Sequence, residues 1–380
     1  MNTFNNGCAK RNPIIDIIKG MGIILMVVGH SGFPFTRFIY LFHMAIFFVA
    51  SGFCFKTNDS DSLSNYLIFL KKKFLSLWFP YIIWTSIFSL LHNVFISLNI
   101  YTDNILILNY TTSHRLATHW TWQNIITNIL KSFLLSGGTQ MGGALWFVCV
   151  LIKISLLYVI IDYCIKKIFK DTVIVQAIVS LVLLFLGFFM YLKGISILSL
   201  DKVFSYYCLF FIGFALKKFN FSEFIQKAWA RLLEFLVSLI ILLVCYQLGH
   251  IELADTYYKN PAFLIITSLA GWQLLYELAF FISKLQRMSD YFIIIGKNTL
   301  AVVILHFLSF KIVSYIGIKI TDAPDFLLAS FPIYMKNGLW WVAYTVTGVF
   351  IPVLLSIEYK NLKGIIKRKC LHSEQKSSIK

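Results

Sequence analysis

The chain has 380 residues, of which 58% are hydrophobic and only 13% are charged. This excludes an ordinary soluble globular protein, which carries about twice that charge density. The net charge of +17 does not indicate nucleic-acid binding, because Lys and Arg recur in short clusters between apolar blocks and form no single patch. The seven cysteines show neither zinc-site nor redox spacing, so no metal and no structural disulfide are expected.

Apolar blocks of the length that crosses about 30 Å of hydrocarbon follow one another along the chain. They predict an all-α integral membrane protein, a bundle of about ten transmembrane helices. The predicted helices cover residues 13–32, 37–56, 74–98, 144–165, 172–192, 203–217, 232–249, 261–282, 292–318 and 338–358.

Every second loop between these blocks is basic, which predicts that both termini are cytoplasmic and that the chain crosses the cytoplasmic (inner) membrane many times. We therefore expect a cytoplasmic N-terminal segment at 1–12, a transmembrane domain at 13–360 and a basic cytoplasmic tail at 361–380. The basic clusters are Lys10 and Arg11; Lys71, Lys72 and Lys73; Lys166, Lys167 and Lys170; Lys217, Lys218, Lys227 and Arg231; Lys284 and Arg287; and Lys363, Lys367, Arg368 and Lys369.

One long non-cytoplasmic segment, residues 99–143, separates the third and fourth predicted helices. Residues 125–131 have an amphipathic pattern that suits a helix lying in the membrane interface. Trp120 and Trp122 precede it. They fit either an aromatic belt at the membrane surface or a lip on which a sugar ring stacks.

Three ionisable residues lie in the first predicted helix, where charged groups are costly and are candidates for function. Asp16 precedes Lys19 by one turn, and His30 follows Lys19 by eleven residues. At about 100° per residue this spacing returns to nearly the same helix face, about 16 Å further along the axis. A histidine suits general-base catalysis, because its pKa lies near physiological pH. A cation towards the cytoplasm suits an anionic group.

Other polar residues inside apolar blocks are weaker candidates for a substrate-binding cavity. His43 and His306 fit either the lining of that cavity or hydrogen-bonded histidines between helices. Glu277 fits either a buried functional acid or a hydrogen-bonded packing acid.

The segment 15–31 resembles the opening of the membrane-bound acyltransferase-3 family, polytopic proteins that acylate surface sugars. Its motif is a basic residue, ten intervening positions and a histidine, which Lys19 and His30 match. The late segment Gly-Lys-Asn-Thr-Leu at 296–300, followed by His306, is similar to another family segment. Further similar segments are 42–53, 73–81 and 145–147. Trp146, at the centre of the last, is a further candidate for binding the substrate.

The sequence departs from the family pattern at three positions. Lys19 stands where arginine is usual, which keeps the charge but loses the planar bidentate fork. Ser76 stands where a second arginine is common after Lys73, and Ala45 stands where proline is usual.

The resemblance implies O-acyl transfer from cytoplasmic acyl-coenzyme A, with acetyl-coenzyme A the expected donor, to a carbohydrate hydroxyl. The phosphates of the donor are expected near Lys19, Lys72 and Lys73, with Asp16 orienting Lys19. His30 would then either act as the base on the sugar hydroxyl or be acylated transiently. The acceptor sugar, the acyl group (acetyl or succinyl) and the oligomeric state stay open.

Two other classes of function fit the composition. A transporter or polysaccharide exporter would also place histidine, lysine and glutamate inside helices. A catalytically silent membrane scaffold is the third possibility. The lack of internal repeats and the order of the family-like segments favour the transferase over a transporter, and the charged face of the first helix argues against a silent scaffold.

Overall fold

The computed structural model describes residues 12–111, 116–220 and 227–377, with side chains up to residue 365. Lys10 and Arg11, and the side chains of the tail cluster at 367–369, lie outside that description. The helices are α1 (Pro13–His30), α2 (Thr36–Tyr40), α3 (Ala45–Phe53), α4 (Leu63–Lys73), α5 (Phe79–Leu90), α6 (His92–Ser97), α7 (Trp122–Phe133), α8 (Leu145–Ile168), α9 (Thr172–Leu192), α10 (Leu200–Lys218), α11 (Ala228–Leu248), α12 (Pro261–Ile282), α13 (Gln286–Gly296), α14 (Thr299–Thr321) and α15 (Trp340–Ser377). A two-residue hairpin pairs β1 (Ile251–Glu252) with β2 (Tyr257–Tyr258) in antiparallel register.

Nine helical segments within the described residues are long and apolar enough to cross a membrane. On α9 and α11 the exposed side chains are themselves apolar, as Phe185 (60% exposed) and Ile240 (59%) illustrate. Such a surface is unfavourable in water and suits contact with lipid. The fold is therefore that of a multi-pass helical membrane protein. Although it is 19 residues long, α10 is not among the nine, because Asp201, Lys202 and two terminal lysines make it too polar.

Three predicted helices differ from the observed ones. The single helix expected at 292–318 is two helices, α13 and α14. They are separated at Asn298, whose side-chain oxygen accepts hydrogen bonds from Ser356 (2.7 Å) and Lys360 (2.6 Å). The helix expected at 37–56 is divided between α2 and α3. The helix expected to begin at residue 74 begins earlier, with the polar α4 at Leu63. It continues through a π-helical turn at Phe74–Trp78 into α5.

The chain forms two compact units. The first contains the described residues of 1–25, 37–66 and 154–297. Within it α10 packs against α3 and α9, and α11 packs against α12. Arg231, which the sequence placed in a cytoplasmic loop, is instead a buried residue in the first turn of α11.

Two helix crossings in this unit depend on glycine. A Cβ on Gly20 of α1 would collide with the carbonyl of Phe292 on α13, and a Cβ on Gly296 would collide with the carbonyl of Asp16. A Cβ on Gly52 of α3 would collide with the backbone of α10, and a Cβ on Gly213 of α10 would collide with the backbone of α3. Small residues let the backbones of membrane helices approach closely, as these four glycines do.

The second unit contains the described residues of 26–36, 67–153 and 298–380. Within it α14 packs against α15, and α5 packs against α7. The predicted amphipathic helix is confirmed as α7, and its apolar face is exposed. The exposed fractions on that face are Trp122 73%, Ile126 54%, Leu130 61% and Phe133 52%.

Replacing Gly296 by alanine should lower the stability of the protein by about 1–3 kcal/mol, because the added methyl group forces α13 away from α1. Gly364→Ala is the matched control, since a Cβ there meets nothing within 4 Å. Thermal unfolding in detergent measures both variants. Equal midpoints for Gly296→Ala and Gly364→Ala would contradict the close crossing.

Candidate active site

The N-terminal half of α1 holds two of the predicted site residues. Asp16 is 3% exposed, and its backbone carbonyl is the group against which Gly296 packs. The Lys19 ammonium lies 3.7 Å from the sulfur of Cys54, and among the described residues it makes no ion pair with Asp16. The role of Asp16 in orienting Lys19 stays a prediction. Lys19 remains partly exposed.

The structure brings His30 and His306 together within the second unit. Their ring centroids are 5.6 Å apart and the ring planes differ by 24°, so the two imidazoles are stacked. His30 is the last residue of α1, and His306 lies in the second turn of α14. The two segments that most specifically suggested the family thus meet at their histidines.

The hydrogen bonds of His306 fix the position of its proton. Its Nδ1 lies 2.9 Å from the carbonyl oxygen of Val302 and 3.1 Å from that of Val303. Because carbonyl oxygens only accept hydrogen bonds, Nδ1 carries the hydrogen and Nε2 carries the lone pair. The side chain is 0% exposed, and Nε2 has no hydrogen-bond partner in the described chain. A buried nitrogen with a free lone pair is ready to accept a proton or a hydrogen bond.

Aromatic rings pack against the two histidines, of which His306 is 0% exposed and His30 is partly exposed. The ring of Phe307 lies 3.9 Å from that of His306 and 5.1 Å from that of His30, measured between centroids. Phe331 packs on the other side of Phe307 at 4.6 Å. A Cβ on Gly143 would lie 3.3 Å from Phe307, so the glycine lets the backbone approach this ring.

Glu277 belongs to a buried polar cluster in the first unit. Its carboxylate accepts a hydrogen bond from the Arg231 guanidinium at 3.0 Å, and their side chains are 1% and 7% exposed. Gln273 donates hydrogen bonds to both Glu277 and Glu234. This cluster matches the hydrogen-bonded packing acid, which was one of the two interpretations of Glu277.

The other aromatic and histidine candidates, Trp120, His43 and Trp146, each have different neighbours. The Trp120 ring stacks on His92, 4.0 Å between centroids, and its backbone is held at both ends by the Asn93 side chain. His43 is buried in the first unit and stacks on Tyr40 at 4.9 Å. Trp146 is the second residue of α8 and is partly buried.

The predicted phosphate-binding lysines of the second unit end a helix. Lys72 is exposed and Lys73 is partly buried at the C-terminus of α4. The π-helical turn Phe74–Trp78 follows directly, and such turns occur often at functional sites.

Sequence analysis missed two buried ionisable groups, Lys311 and Arg231, and one partly buried group, Glu252. Lys311 is 5% exposed within α14, and its position inside an apolar block was a sufficient signal. Arg231 carried a misleading signal, because it adjoins a basic loop. Glu252 lies in the hairpin between α11 and α12, where the sequence gives no sign that a carboxyl group is buried.

Comparison with known families gives a match over nearly the whole chain. A family model described as an acyltransferase domain, that of the acyltransferase-3 family, matches residues 12–357. No curated protein and no solved structure matches.

Glu252 makes the stability of the hairpin depend on pH. Burial raises the pKa of its carboxyl group to about 7, and the nearby Asp255 carboxylate adds to the rise. The folded chain therefore binds this proton more tightly than the unfolded chain. That contribution to stability is complete below the unfolded pKa, near 4.5, and is lost as pH rises to about 7.

We expect the unfolding midpoint of the wild type to fall, relative to that of Glu252→Gln, as pH rises from 4.5 to 7. The glutamine does not ionise and so removes this dependence. Glu358→Gln, an exposed position on α15, is the control. A constant difference between wild type and Glu252→Gln across that range would contradict the buried carboxyl group.

Proposed function

Because the chain belongs to the acyltransferase-3 family, we propose that this membrane acyltransferase moves an acetyl group from cytoplasmic acetyl-coenzyme A to a hydroxyl of a cell-surface carbohydrate. The observation that carries the proposal is the stacked His30–His306 pair, with the free lone pair on His306 Nε2.

The proposed topology has ten spans, with α10 as the tenth and both termini in the cytoplasm. Packing of α10 against α3 and α9 supports its inclusion, since its charged residues lie at its two ends. The alternation of basic and nearly uncharged loops supports the orientation. The membrane is then the cytoplasmic (inner) membrane, where the donor is available on one side.

In the proposed reaction His30 is the general base. It takes the proton from the sugar hydroxyl as the oxygen attacks the thioester carbonyl. The carbon–sulfur bond then breaks, and the leaving thiolate takes the proton from the imidazolium. The products are a sugar ester and free coenzyme A. Since His306 keeps its own proton on Nδ1, its Nε2 lone pair can accept a hydrogen bond from a second, non-reacting hydroxyl of the sugar and so hold the acceptor in place.

The donor is proposed to bind with its phosphates at Lys19, Lys72 and Lys73. Lys19 and His30 lie on one continuous helix, so their axial separation is about 16 Å whatever the ligand. A donor with charged phosphates at one end and a thioester at the end of a long flexible arm suits that separation. Lysine binds phosphate as a point charge.

The carbohydrate acceptor is supported by the arrangement at Trp120. His92 covers one face of the indole, and the indole remains partly exposed. An aromatic ring held in this way can stack against the apolar face of a sugar. Asn93 fixes the backbone on which the ring is mounted.

His30→Ala should lower acyl transfer by about 10²–10⁴-fold, because the variant lacks the base. His306→Ala should lower it less, since it removes only the orienting lone pair. Mass spectrometry of surface polysaccharide from cells with each variant measures the ester and identifies the acyl group.

His119→Ala, which changes an exposed histidine, is the matched control and should leave esterification unchanged. Full esterification in cells carrying inserted His30→Ala would refute the assignment. Loss of polymer from the surface, with its esters intact, would indicate an exporter instead.

Lys19→Met should raise the KM for acetyl-coenzyme A by about tenfold with a smaller change in kcat, because the variant loses a charge-assisted contact with phosphate. Lys19→Arg should retain activity, since the charge remains. Lys170→Met, in an exposed loop, is the control. An unchanged KM in Lys19→Met would place the phosphates elsewhere.

A further inference from the structure

Lys311 is a basic residue in the interior of the second unit that the proposed reaction does not use. It lies in α14, five residues beyond His306, and is 5% exposed. Its ammonium donates hydrogen bonds to the backbone carbonyl oxygens of Leu328 and Ser330, each at 2.8 Å. A buried charge of this kind is costly unless it is bonded, so the side chain holds these two carbonyls firmly.

Both carbonyls belong to the 325–335 segment, which connects α14 to α15. This segment has further attachments within the second unit. The amide of Phe331 donates to the carbonyl of Tyr110 at 3.1 Å. The amides of Tyr334 and Met335 donate to the hydroxyl of Tyr344 at 3.2 and 3.1 Å. Two lysines of α14 bond to this segment in the described chain. Lys311 is buried and bonds to two backbone carbonyls, whereas Lys319 is exposed and bonds to the Asp325 side chain.

The 325–335 segment is linked to the histidine pair through Phe331 and Phe307. Phe331 packs on Phe307 at 4.6 Å, and Phe307 in turn contacts both imidazole rings. Ile333 lies against Gly32, just beyond the end of α1; a Cβ on Gly32 would be 2.5 Å from its Cδ1. The two carbonyls bound by Lys311 are therefore one and three residues from the ring that covers this site.

We propose that Lys311 is a positioning residue, whose ammonium holds the 325–335 segment against α14 so that Phe331 and Phe307 keep water away from His30 and His306. The structural part of this proposal stands on the contacts alone. Its consequence for the reaction rests on the acyltransferase function proposed above.

The consequence for catalysis concerns the choice of nucleophile. If water reaches the base, its oxygen attacks the thioester in place of the sugar hydroxyl. The carbon–sulfur bond breaks as before, and the products are acetate and free coenzyme A. A loosened segment therefore releases more coenzyme A for each sugar ester that is formed.

The structural test is modification of the full-length protein, purified in detergent, by diethyl pyrocarbonate, followed by mass spectrometry of each histidine. In Lys311→Met, which keeps the length of the side chain but lacks its donors, His30 and His306 should react about tenfold faster than in the wild type. Lys311→Arg should restore protection. The exposed His119 and His250 serve as internal references.

Lys319→Met is the matched control, because Lys319 lies on the same helix and pairs with Asp325 of the same segment. That pair is exposed (53% and 65%) and contributes little, so protection should be unchanged. Faster reaction of His43, which is buried in the other unit, would mean general loosening and would overturn the proposal.

Phe331→Ala is the second variant, and it leaves the Lys311 attachments in place. It should expose His30 and His306 in the same way and decides the matter if Lys311→Met does not fold. Wild-type reaction rates at both histidines in Phe331→Ala would overturn the proposal.

The catalytic test uses membranes that carry the surface polysaccharide and acetyl-coenzyme A as the probe. Lys311→Met should raise the ratio of coenzyme A released to ester formed by about tenfold, and Lys311→Arg should return it towards the wild-type value. A variant that is merely less stable loses both products equally, and that result would overturn the positioning role. If wild-type membranes form no ester, the proposed function fails, while the modification rates still decide the attachment.

Discussion

A polar group inside a membrane-spanning helix has no water to bond with, and the rest of this structure depends on how that constraint is met. Most such groups in the described chain have protein partners. Arg231 pairs with Glu277, and Asp162 accepts hydrogen bonds from Ser60 and Gln176. These networks join α11 to α12 and α8 to α9, so satisfying the polar groups also sets which helices are neighbours.

The histidine site differs from those networks in one respect. His306 satisfies Nδ1 with two carbonyls of its own helix, and Nε2 is left with a lone pair and no partner in the described chain. An unsatisfied buried acceptor costs about 1–3 kcal/mol. Folding alone gives no reason to keep it, whereas a reaction that needs a ready acceptor does. His30 stacks on the ring of His306, so a second imidazole lies beside that acceptor.

The class of fold and most helices could be predicted from the sequence, because apolar length is a local signal. The division at Asn298 could not, since it depends on Ser356 and Lys360, some 60 residues away. Nor could the partner of Lys19, because an ion pair with Asp16 was the nearest local option and the sulfur of Cys54 arrives from another helix. Local patterns identify the polar groups, and only tertiary packing assigns their partners.

The chemistry of the site depends on α1 in a way that later packing cannot alter. A helix of 18 residues fixes the axial distance between Lys19 and His30 through its rise, about 1.5 Å per residue. Rotation or tilt of neighbouring helices leaves that distance unchanged. The crossing at Gly20 and Gly296 holds the N-terminal half of α1, and the rings of His306 and Phe307 pack against His30 at its C-terminal end. In the proposed donor binding, lysine in place of the family's usual arginine at position 19 keeps a point charge at this fixed distance from His30.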